Sequence, residues 1–187
     1  MRILGISGSL RAESHNTALL RAIASRVGPD VDFEIFDGLR EVPPYDVDDD
    51  REPVHPAVAH LRDAIREADA VLFATPEYNA SIPGVLKNAV DWASRPFPDN
   101  SLKGTPVAVI GATSGGFGAV WAQAELRKVL GTAGARVLED GVAVPRVHER
   151  VGADGSIVGD DLLAKLDGVV TALVTEAERS AALTHSG

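Results

Sequence analysis

Short apolar runs alternate with longer segments of helical spacing along this chain of 187 residues. The apolar runs predict strands at Ile3 to Ile6, Val31 to Phe36, Ala70 to Ala74, Val107 to Ile110 and Ala135 to Val144. The helical spacing predicts helices around Leu19, Leu20 and Ile23, then at Ala57 to Glu67, Gly84 to Ala93, Ala119 to Leu130 and Asp160 to Ala182. Because strands alternate with helices, we expect an α/β fold built from right-handed βαβ units. Its doubly wound, five-stranded parallel sheet would carry helices on both faces.

Three loops of unusual composition follow predicted strands, at Gly8 to Asn16, Thr75 to Pro83 and Gly111 to Gly118. In doubly wound sheets, ligands bind beyond the carboxyl ends of the strands, at the point where the strand order reverses. All three loops leave strand ends of this kind, so we expect them to converge on one shared site.

The first loop, GSLRAESHN, leads from a strand into the N-terminus of a helix. The polar side chains in it and just after it belong to Ser9, Arg11, Ser14, His15, Asn16 and Thr17. Free backbone N–H groups and the helix dipole suit an anion, and the planar fork of Arg11 matches phosphate geometry. A hydroxyl-lined loop suits a terminal phosphate monoester, whereas a glycine-lined loop suits a bridging pyrophosphate. We interpret the loop as a phosphate cradle; alternatively, Ser14 and Asn16 cap the helix and Gly8 makes a turn.

The second loop is stiffened at both ends by Pro76 and Pro83, which fix φ. Between them lie an aromatic ring and an amide, which suit the edge of a flat heterocycle; the alternative is a rigid loop with a surface tyrosine. The third loop contains Ser114 to Gly118, the sequence SGGFG, where the backbone can approach a ligand closely. Its alternative interpretation is a turn that leads into a helix.

At these residues the chain resembles a known family, the NAD(P)H-dependent FMN reductases, which have a flavodoxin-like fold. The resemblance rests on GSLRAESHN, on PEYNASIPGVLKNAVDWASRP from Pro76 to Pro96, and on the SGG that begins at Ser114. The second block is the specific one. The resemblance extends to roughly Val144, and the residues beyond it match no motif.

The resemblance implies which residues hold the FMN cofactor. The residues that it assigns to the phosphate are Ser9, Arg11, Ser14, Asn16 and Thr17. Those that it assigns to the isoalloxazine ring are Pro76, Glu77, Tyr78 and Asn79. Those that it assigns to the flavin edge are Ser114, Gly115 and Gly116.

The implied activity is that of an FMN-dependent NAD(P)H oxidoreductase with a flavin, quinone or similar small-molecule acceptor. The flavin carries the chemistry while the protein supplies position and electrostatics, so no catalytic side chain and no metal are predicted. Two alternatives stay open: a flavodoxin-like electron carrier that binds FMN without NAD(P)H turnover, and a dinucleotide-binding dehydrogenase without flavin. The sequence does not distinguish NADPH from NADH as the co-substrate, nor one acceptor from another.

Length and composition narrow the class of protein. The length predicts one domain at residues 1–183, FMN-binding and flavodoxin-like by the resemblance, with a frayed tail at 184–187. The chain contains no cysteine, which removes thiolate catalysis and disulfides, and its net charge of −9 argues against a nucleic-acid partner. No signal peptide or membrane-spanning run is recognisable, so the expected location is the cytoplasm.

We predict no metal, cofactor or substrate contact for several other residues. The acidic run at Asp46 and Asp48 to Asp50 is expected to be a solvated loop rather than a metal site. Asp37 ends a predicted strand, where a dinucleotide fold would keep its ribose-binding acid; without the glycine fingerprint in the first loop, no such role is predicted. Trp92 and Phe97 are expected in the core or at a subunit contact rather than against a substrate.

The helix at Gly84 to Ala93 carries apolar residues around more of its circumference than one core-facing stripe needs. They are Val85, Leu86, Ala89, Val90 and Trp92. We therefore predict that a second face of this helix packs against another copy of the chain. The resemblance points to a homodimer or a homotetramer.

Overall fold

The computed structural model describes residues 1–152 and 156–184. The strands are Arg2–Ser7 (β1), Asp32–Ile35 (β2), Ala70–Thr75 (β3), Pro106–Ala112 (β4), Arg136–Val137 (β5) and Ala143–Val144 (β6). The helices are His15–Ala24 (α1), Pro56–Glu67 (α2), Gly84–Ala93 (α3), Val120–Thr132 (α4) and Asp160–Thr184 (α5). Short 3₁₀ turns occupy Gly38–Glu41, Val47–Asp49 and Val147–Glu149. Of the tail predicted to fray, Thr184 ends α5, and residues 185–187 lie outside the described part.

The strands form one parallel sheet in the order β2-β1-β3-β4-β5, and β6 also pairs with β4. The order reverses between β1 and β3, because the chain first moves outward to β2 and then crosses back past β1. This reversal is the switch point at which doubly wound sheets bind ligands. The expected α/β fold with a parallel sheet is confirmed.

Helices cover both faces of the sheet and enclose two hydrophobic cores. One core contains apolar residues of α2, α3 and α4, with Trp92 and Phe73 among its largest buried side chains. The other contains apolar residues of α1 and α5, such as Leu19 and Leu173. Arg26, just after α1, also pairs with Asp167 of α5 at 2.5 Å, and this hydrogen bond holds the pKa of the Asp167 carboxyl below its usual value.

The final strand differs from the prediction, which placed one continuous strand at Ala135 to Val144. The structure divides it into β5, beside Pro106 and Val107, and β6, beside Gly111 and Ala112. Between them, the Arg127 side chain donates to the carbonyl oxygen of Val109 at 3.1 Å, where a continuous strand would pair. Desolvation by burial lowers the pKa of this guanidinium, and its Nε has no hydrogen-bond partner among the described residues.

The long connection between β2 and α2 is fixed by its acidic residues. Asp46 accepts from the backbone N–H of Asp48 and caps a 3₁₀ turn, and Asp50 pairs with the buried Arg62 at 2.7 Å. Across residues 1–152 and 156–184, no helix combines the length and the apolar content that a bilayer span needs.

Candidate functional site

Loops from β1, β3 and β4 meet around one cavity of about 150 Å³ at the carboxyl edge of the sheet. Of the residues predicted to bind the cofactor, those that line it are Ser9, Arg11, Ser14, Asn16, Pro76, Glu77, Tyr78 and Ser114. His15, Ala112 and Thr113 complete the lining. The predicted convergence of the three loops is therefore present.

The first loop presents unused donors to this cavity. Ser14 is the N-cap of α1, and its Oγ accepts from the Thr17 N–H at 3.2 Å, so the capping alternative holds for Ser14. The Ser14 hydroxyl proton remains available to a ligand. Among the described residues, the backbone N–H groups of Ala12 to Asn16 and the Arg11 guanidinium form no hydrogen bond. This donor set suits a dianionic phosphate at a helix N-terminus.

Two predicted phosphate ligands make contacts within the protein instead. The buried Asn16 amide bonds both the N–H and the C=O of Ala112, each at 3.0 Å. It joins the first loop to the end of β4. Thr17 donates from Oγ1 to the Ser7 hydroxyl at 2.8 Å and lines a neighbouring cavity rather than this one. Their contacts with phosphate stay predictions.

Gly8 allows the first and second loops to approach each other. A Cβ at this position would lie 2.8 Å from Leu86 Cδ2 and 3.3 Å from Pro76 Cδ. The first distance would require the Leu86 side chain of α3 to shift, and the second is a tight contact with Pro76, so a side chain here would crowd the approach of the two loops.

The second loop folds into a tight turn at its tip. Tyr78 and Ser81 exchange two backbone hydrogen bonds of 3.0 Å, with Asn79 and Ala80 at positive φ between them. The Tyr78 ring is half exposed at the mouth of the cavity. Asn79 lies on the exposed tip and is not part of the cavity wall, and its contact with the flavin ring stays a prediction.

Glu77 links the second loop to α4. Its Oε2 accepts from the backbone N–H groups of Trp121 and Ala122, both at 3.1 Å. The residue at the N-cap position of α4 is Ala119, which has a left-handed conformation and no side chain to cap the helix. The Glu77 carboxylate supplies the missing cap from a different loop and thereby fixes the second loop against the third.

The third loop contributes Ser114 to the cavity wall, whereas Gly115 and Gly116 are exposed and lie outside it. The carbonyl oxygen of Gly115 accepts from the Arg146 N–H at 2.9 Å, which holds the loop against the segment after β6. A Cβ at Gly116 would meet nothing within 4 Å, so its backbone is open to a ligand. The flavin-edge role of both glycines stays a prediction.

A second cavity, of about 320 Å³, lies on the β2 side of the first loop and was missed by the sequence analysis. It shares Ser9 and Arg11 with the first cavity, and Arg21, Arg40 and Asp37 also line it. Only the position of Asp37 at the end of β2 gave a signal in the sequence, because the arginines come from separate elements.

Comparison with known proteins agrees with this geometry. Residues 1–149 match the model of the family described as NADPH-dependent FMN reductase. The chain belongs to this family. The prediction of a flavodoxin-like, FMN-dependent NAD(P)H oxidoreductase is confirmed, and the electron-carrier alternative receives no support.

Individual members of the family are similar over most of the chain. An NAD(P)H-dependent FMN reductase from Pseudomonas aeruginosa is 48% identical over 130 residues, 70% of this chain and 69% of that protein. A 2-hydroxy-1,4-benzoquinone reductase from Burkholderia is 38% identical over 163 residues, 86% of this chain and 87% of that one. The solved structure of FerB, an NAD(P)H:(acceptor) oxidoreductase from Paracoccus denitrificans, aligns with a TM-score of 0.84 and 35% identity, covering 96% of this chain and 98% of FerB.

The residues of this FMN reductase fold fit the cofactor that the family name implies. FMN ends in a phosphate monoester, and the unused N–H groups of the first loop, the Ser14 hydroxyl and the Arg11 guanidinium converge where such a group would lie. The Pro76 to Tyr78 segment and Ser114 line the same cavity and would hold the flat ring.

Proposed function

We propose that this FMN reductase uses a quinone or a similarly flat small molecule as its electron acceptor. The observation that carries the proposal is the cavity shared by the three loops, which is lined both by the phosphate donors of the first loop and by the Tyr78 ring. The relatives named as quinone reductases support the same acceptor class.

Bound FMN supplies hydride transfer from NAD(P)H and onward to the acceptor. The chain's own residues bind and orient the FMN. Backbone N–H groups and Arg11 hold the phosphate, Glu77 fixes the second loop against α4, and Pro76 keeps its backbone rigid against the first loop. These are binding and positioning roles.

Exposed aromatic side chains in and next to the cavity favour a flat acceptor. Tyr78 lines the cavity, whereas Phe117 and Trp121 lie outside its lining, beside the α4 residues that Glu77 caps. Tyr78 is 48% exposed, Phe117 65% and Trp121 49%. The rings of Phe117 and Trp121 lie 4.9 Å apart, at the start of α4 that Glu77 caps. Apolar rings near the flavin provide a surface on which a planar quinone stacks.

Anaerobic mixing tests the reductive half of this function. The FMN-loaded protein is mixed separately with NADPH and with NADH, and bleaching of the flavin absorption band reports reduction. A quinone added to the reduced protein then restores the band. Because nicotinamide and quinone take turns at one ring, steady-state plots are expected to give parallel, ping-pong lines. A flavin band that neither nucleotide bleaches would contradict the proposal.

The acceptor surface is tested with Trp121→Ala. The variant is expected to raise the quinone KM several-fold, the effect of about 0.5–1.5 kcal/mol from a lost aromatic pair, while the rate of flavin reduction by NADPH stays within about twofold. Val47→Ala removes an exposed apolar side chain in the connection between β2 and α2, outside the cavity lining, and serves as the control. Equal quinone KM values in both variants and the wild type would exclude stacking at this position.

We also propose a homodimer or a homotetramer and a cytoplasmic location. Most apolar residues of α3 do not support the assembly as predicted, because Leu86, Ala89, Val90 and Trp92 are buried within one chain, whereas Val85 is partly buried. Support comes instead from Phe97, which is 80% exposed beside a cavity of about 320 Å³ between α3 and α4. The use of NAD(P)H, a metabolite held inside cells, supports the location.

A further inference from the structure

The cavity on the β2 side of the first loop has an unusual charge for this protein. Three arginines line it, Arg11, Arg21 and Arg40, against one acid, Asp37, whereas the whole chain has a net charge of −9. Clefts lined by one sign of charge attract ligands of the opposite sign. A local excess of positive charge on an acidic protein therefore indicates an anion site.

The arginines of this cavity keep hydrogen-bond donors that no protein group among the described residues uses. The Arg40 guanidinium donates to the carbonyl oxygen of Leu10 at 2.8 Å, which holds it over the first loop. In residues 1–152 and 156–184, the Arg21 side chain and the Asp37 carboxylate form neither a hydrogen bond nor an ion pair. Guanidinium groups that keep unused donors and line one cavity are suited to bidentate contacts with a phosphate.

The anion is not an extension of the flavin nucleotide. The donors of the first loop suit the terminal monoester of FMN, which carries no further phosphate. An anion bound in the second cavity would therefore belong to a separate molecule. In the reaction proposed above, the other phosphate-bearing participant is the nicotinamide nucleotide.

The distance between the second cavity and the flavin-ring loops suits a nicotinamide nucleotide. The second cavity lies between the ends of β1 and β2, and the flavin-ring loops follow β3 and β4. Two strand spacings, about 10 Å, separate them across the sheet, and an extended dinucleotide covers such a distance. Arginines accommodate the 2′-phosphate of NADPH in dinucleotide folds, near the end of the second strand.

We propose that Arg21 and Arg40 bind the 2′-phosphate of NADPH in this cavity and make the enzyme prefer NADPH to NADH. The inference rests on the proposed function and goes beyond it by locating the nucleotide. Asp37 faces the same cavity, so its carboxylate opposes the 2′-phosphate and limits the preference.

Kinetics with both nucleotides test the site. Arg21→Ala is expected to lower kcat/KM for NADPH about tenfold or more, the effect of a hydrogen bond to a charged group, and to change that for NADH less than threefold. Arg40→Lys keeps the charge but loses the planar fork, so it should lower the NADPH preference by less than Arg21→Ala does. Asp37→Asn should raise the preference. Arg51→Ala, an exposed arginine outside both cavities, is the matched control and should leave the preference unchanged.

A binding measurement separates this inference from the proposed function. Calorimetric titration with adenosine 2′,5′-bisphosphate and with AMP needs no turnover, so it reports on the cavity even where neither nucleotide reduces the flavin. Arg21→Ala should weaken binding of the bisphosphate about tenfold and change the affinity for AMP by no more than about twofold. An NADPH/NADH ratio that neither Arg21→Ala nor Asp37→Asn changes would overturn the proposal. So would a parallel loss with both nucleotides, or weaker FAD binding with an unchanged ratio, which would assign the cavity to a flavin dinucleotide.

Discussion

At the scale of single residues, Asn16 and Glu77 each line the cofactor cavity and also hold separate loops of the site together. Asn16 and Glu77 were both predicted to face the cofactor, and both side chains line the cavity. Their polar atoms, however, bond backbone groups 96 and 44 or 45 residues away in sequence. Such partners are brought close only by the fold, so no local pattern could reveal that these residues also hold the loops together.

Arg11 provides the direct test of the phosphate cradle. Its guanidinium has no partner among the described residues and lines the cavity beside Ser9 and Ser14. Arg11→Ala is expected to weaken FMN by about 1.5–3 kcal/mol, the range for a hydrogen bond to a charged group. Riboflavin, which lacks the phosphate, should bind both proteins equally and far more weakly than FMN binds the wild type. Fluorescence quenching of the flavin measures all four affinities, and similar FMN and riboflavin affinities in the wild type would rule out the cradle.

Glu77 tests whether one carboxylate positions the second loop. Glu77→Ala removes the cap of α4 and is expected to reduce the free energy of unfolding by about 0.5–2 kcal/mol, the usual effect of losing a cap. It should also weaken FMN binding, because the second loop is no longer hydrogen-bonded to α4. Glu77→Gln keeps an acceptor oxygen and should recover most of both losses.

Thermal denaturation of the apoprotein and FMN titration measure the two effects separately. Glu178→Ala, which removes an exposed carboxylate of α5, is the control. Full FMN affinity in a destabilised Glu77→Ala protein would show that the cap serves α4 alone and does not position the loop.

At the scale of elements, apolar periodicity predicted most strands and helices to within a residue or two. It succeeded because β1, β3 and β4 are buried on both faces and read as nearly continuous apolar runs. It failed at the last strand, because Arg127 on α4 reaches over to Val109 and occupies the pairing edge between β5 and β6. A side chain from another element decides this break, and no pattern within 135–144 contains that information.

Gly141 shows how tightly this break is packed. A Cβ there would lie 2.0 Å from Arg127 Nη2 and 2.6 Å from the carbonyl oxygen of Val109. Gly141→Ala is therefore expected to lower the free energy of unfolding by about 1–3 kcal/mol, as overpacking does. Gly168→Ala, in the exposed interior of α5 with nothing within 4 Å of the added Cβ, should instead raise it by about 0.5–1 kcal/mol. Urea denaturation of both variants measures the difference. Equal effects of the same sign would mean that the site near Arg127 relaxes around the methyl group.

At the scale of the whole molecule, the two-sided burial of α3 is satisfied within one chain. The Trp92 ring of α3 packs edge to face against the Tyr45 ring of the long connection, with 4.9 Å between the ring centroids. The Trp92 indole N–H donates to the carbonyl oxygen of Pro43 at 2.8 Å. The apolar excess on α3 therefore reflects the long connection before α2, which covers its second face. The polar composition of this segment did not indicate that it covers α3, so the sequence pattern predicted a partner chain at that face.

The assembly proposed from Phe97 can be separated from core packing with two substitutions. Val90 is 3% exposed, so Val90→Glu is expected to destabilise the protein by about 3–5 kcal/mol through an uncompensated buried charge. Phe97 is 80% exposed, so Phe97→Asp should leave the fold and the unfolding midpoint intact while it weakens association, because it places a charge in an apolar contact. Light scattering at micromolar concentration should give two or four chain masses for the wild type and a smaller mass for Phe97→Asp, with circular dichroism reporting the fold. A wild-type monomer with full NAD(P)H oxidation would exclude an obligatory assembly, and an unchanged oligomer in Phe97→Asp would place the contact on another surface.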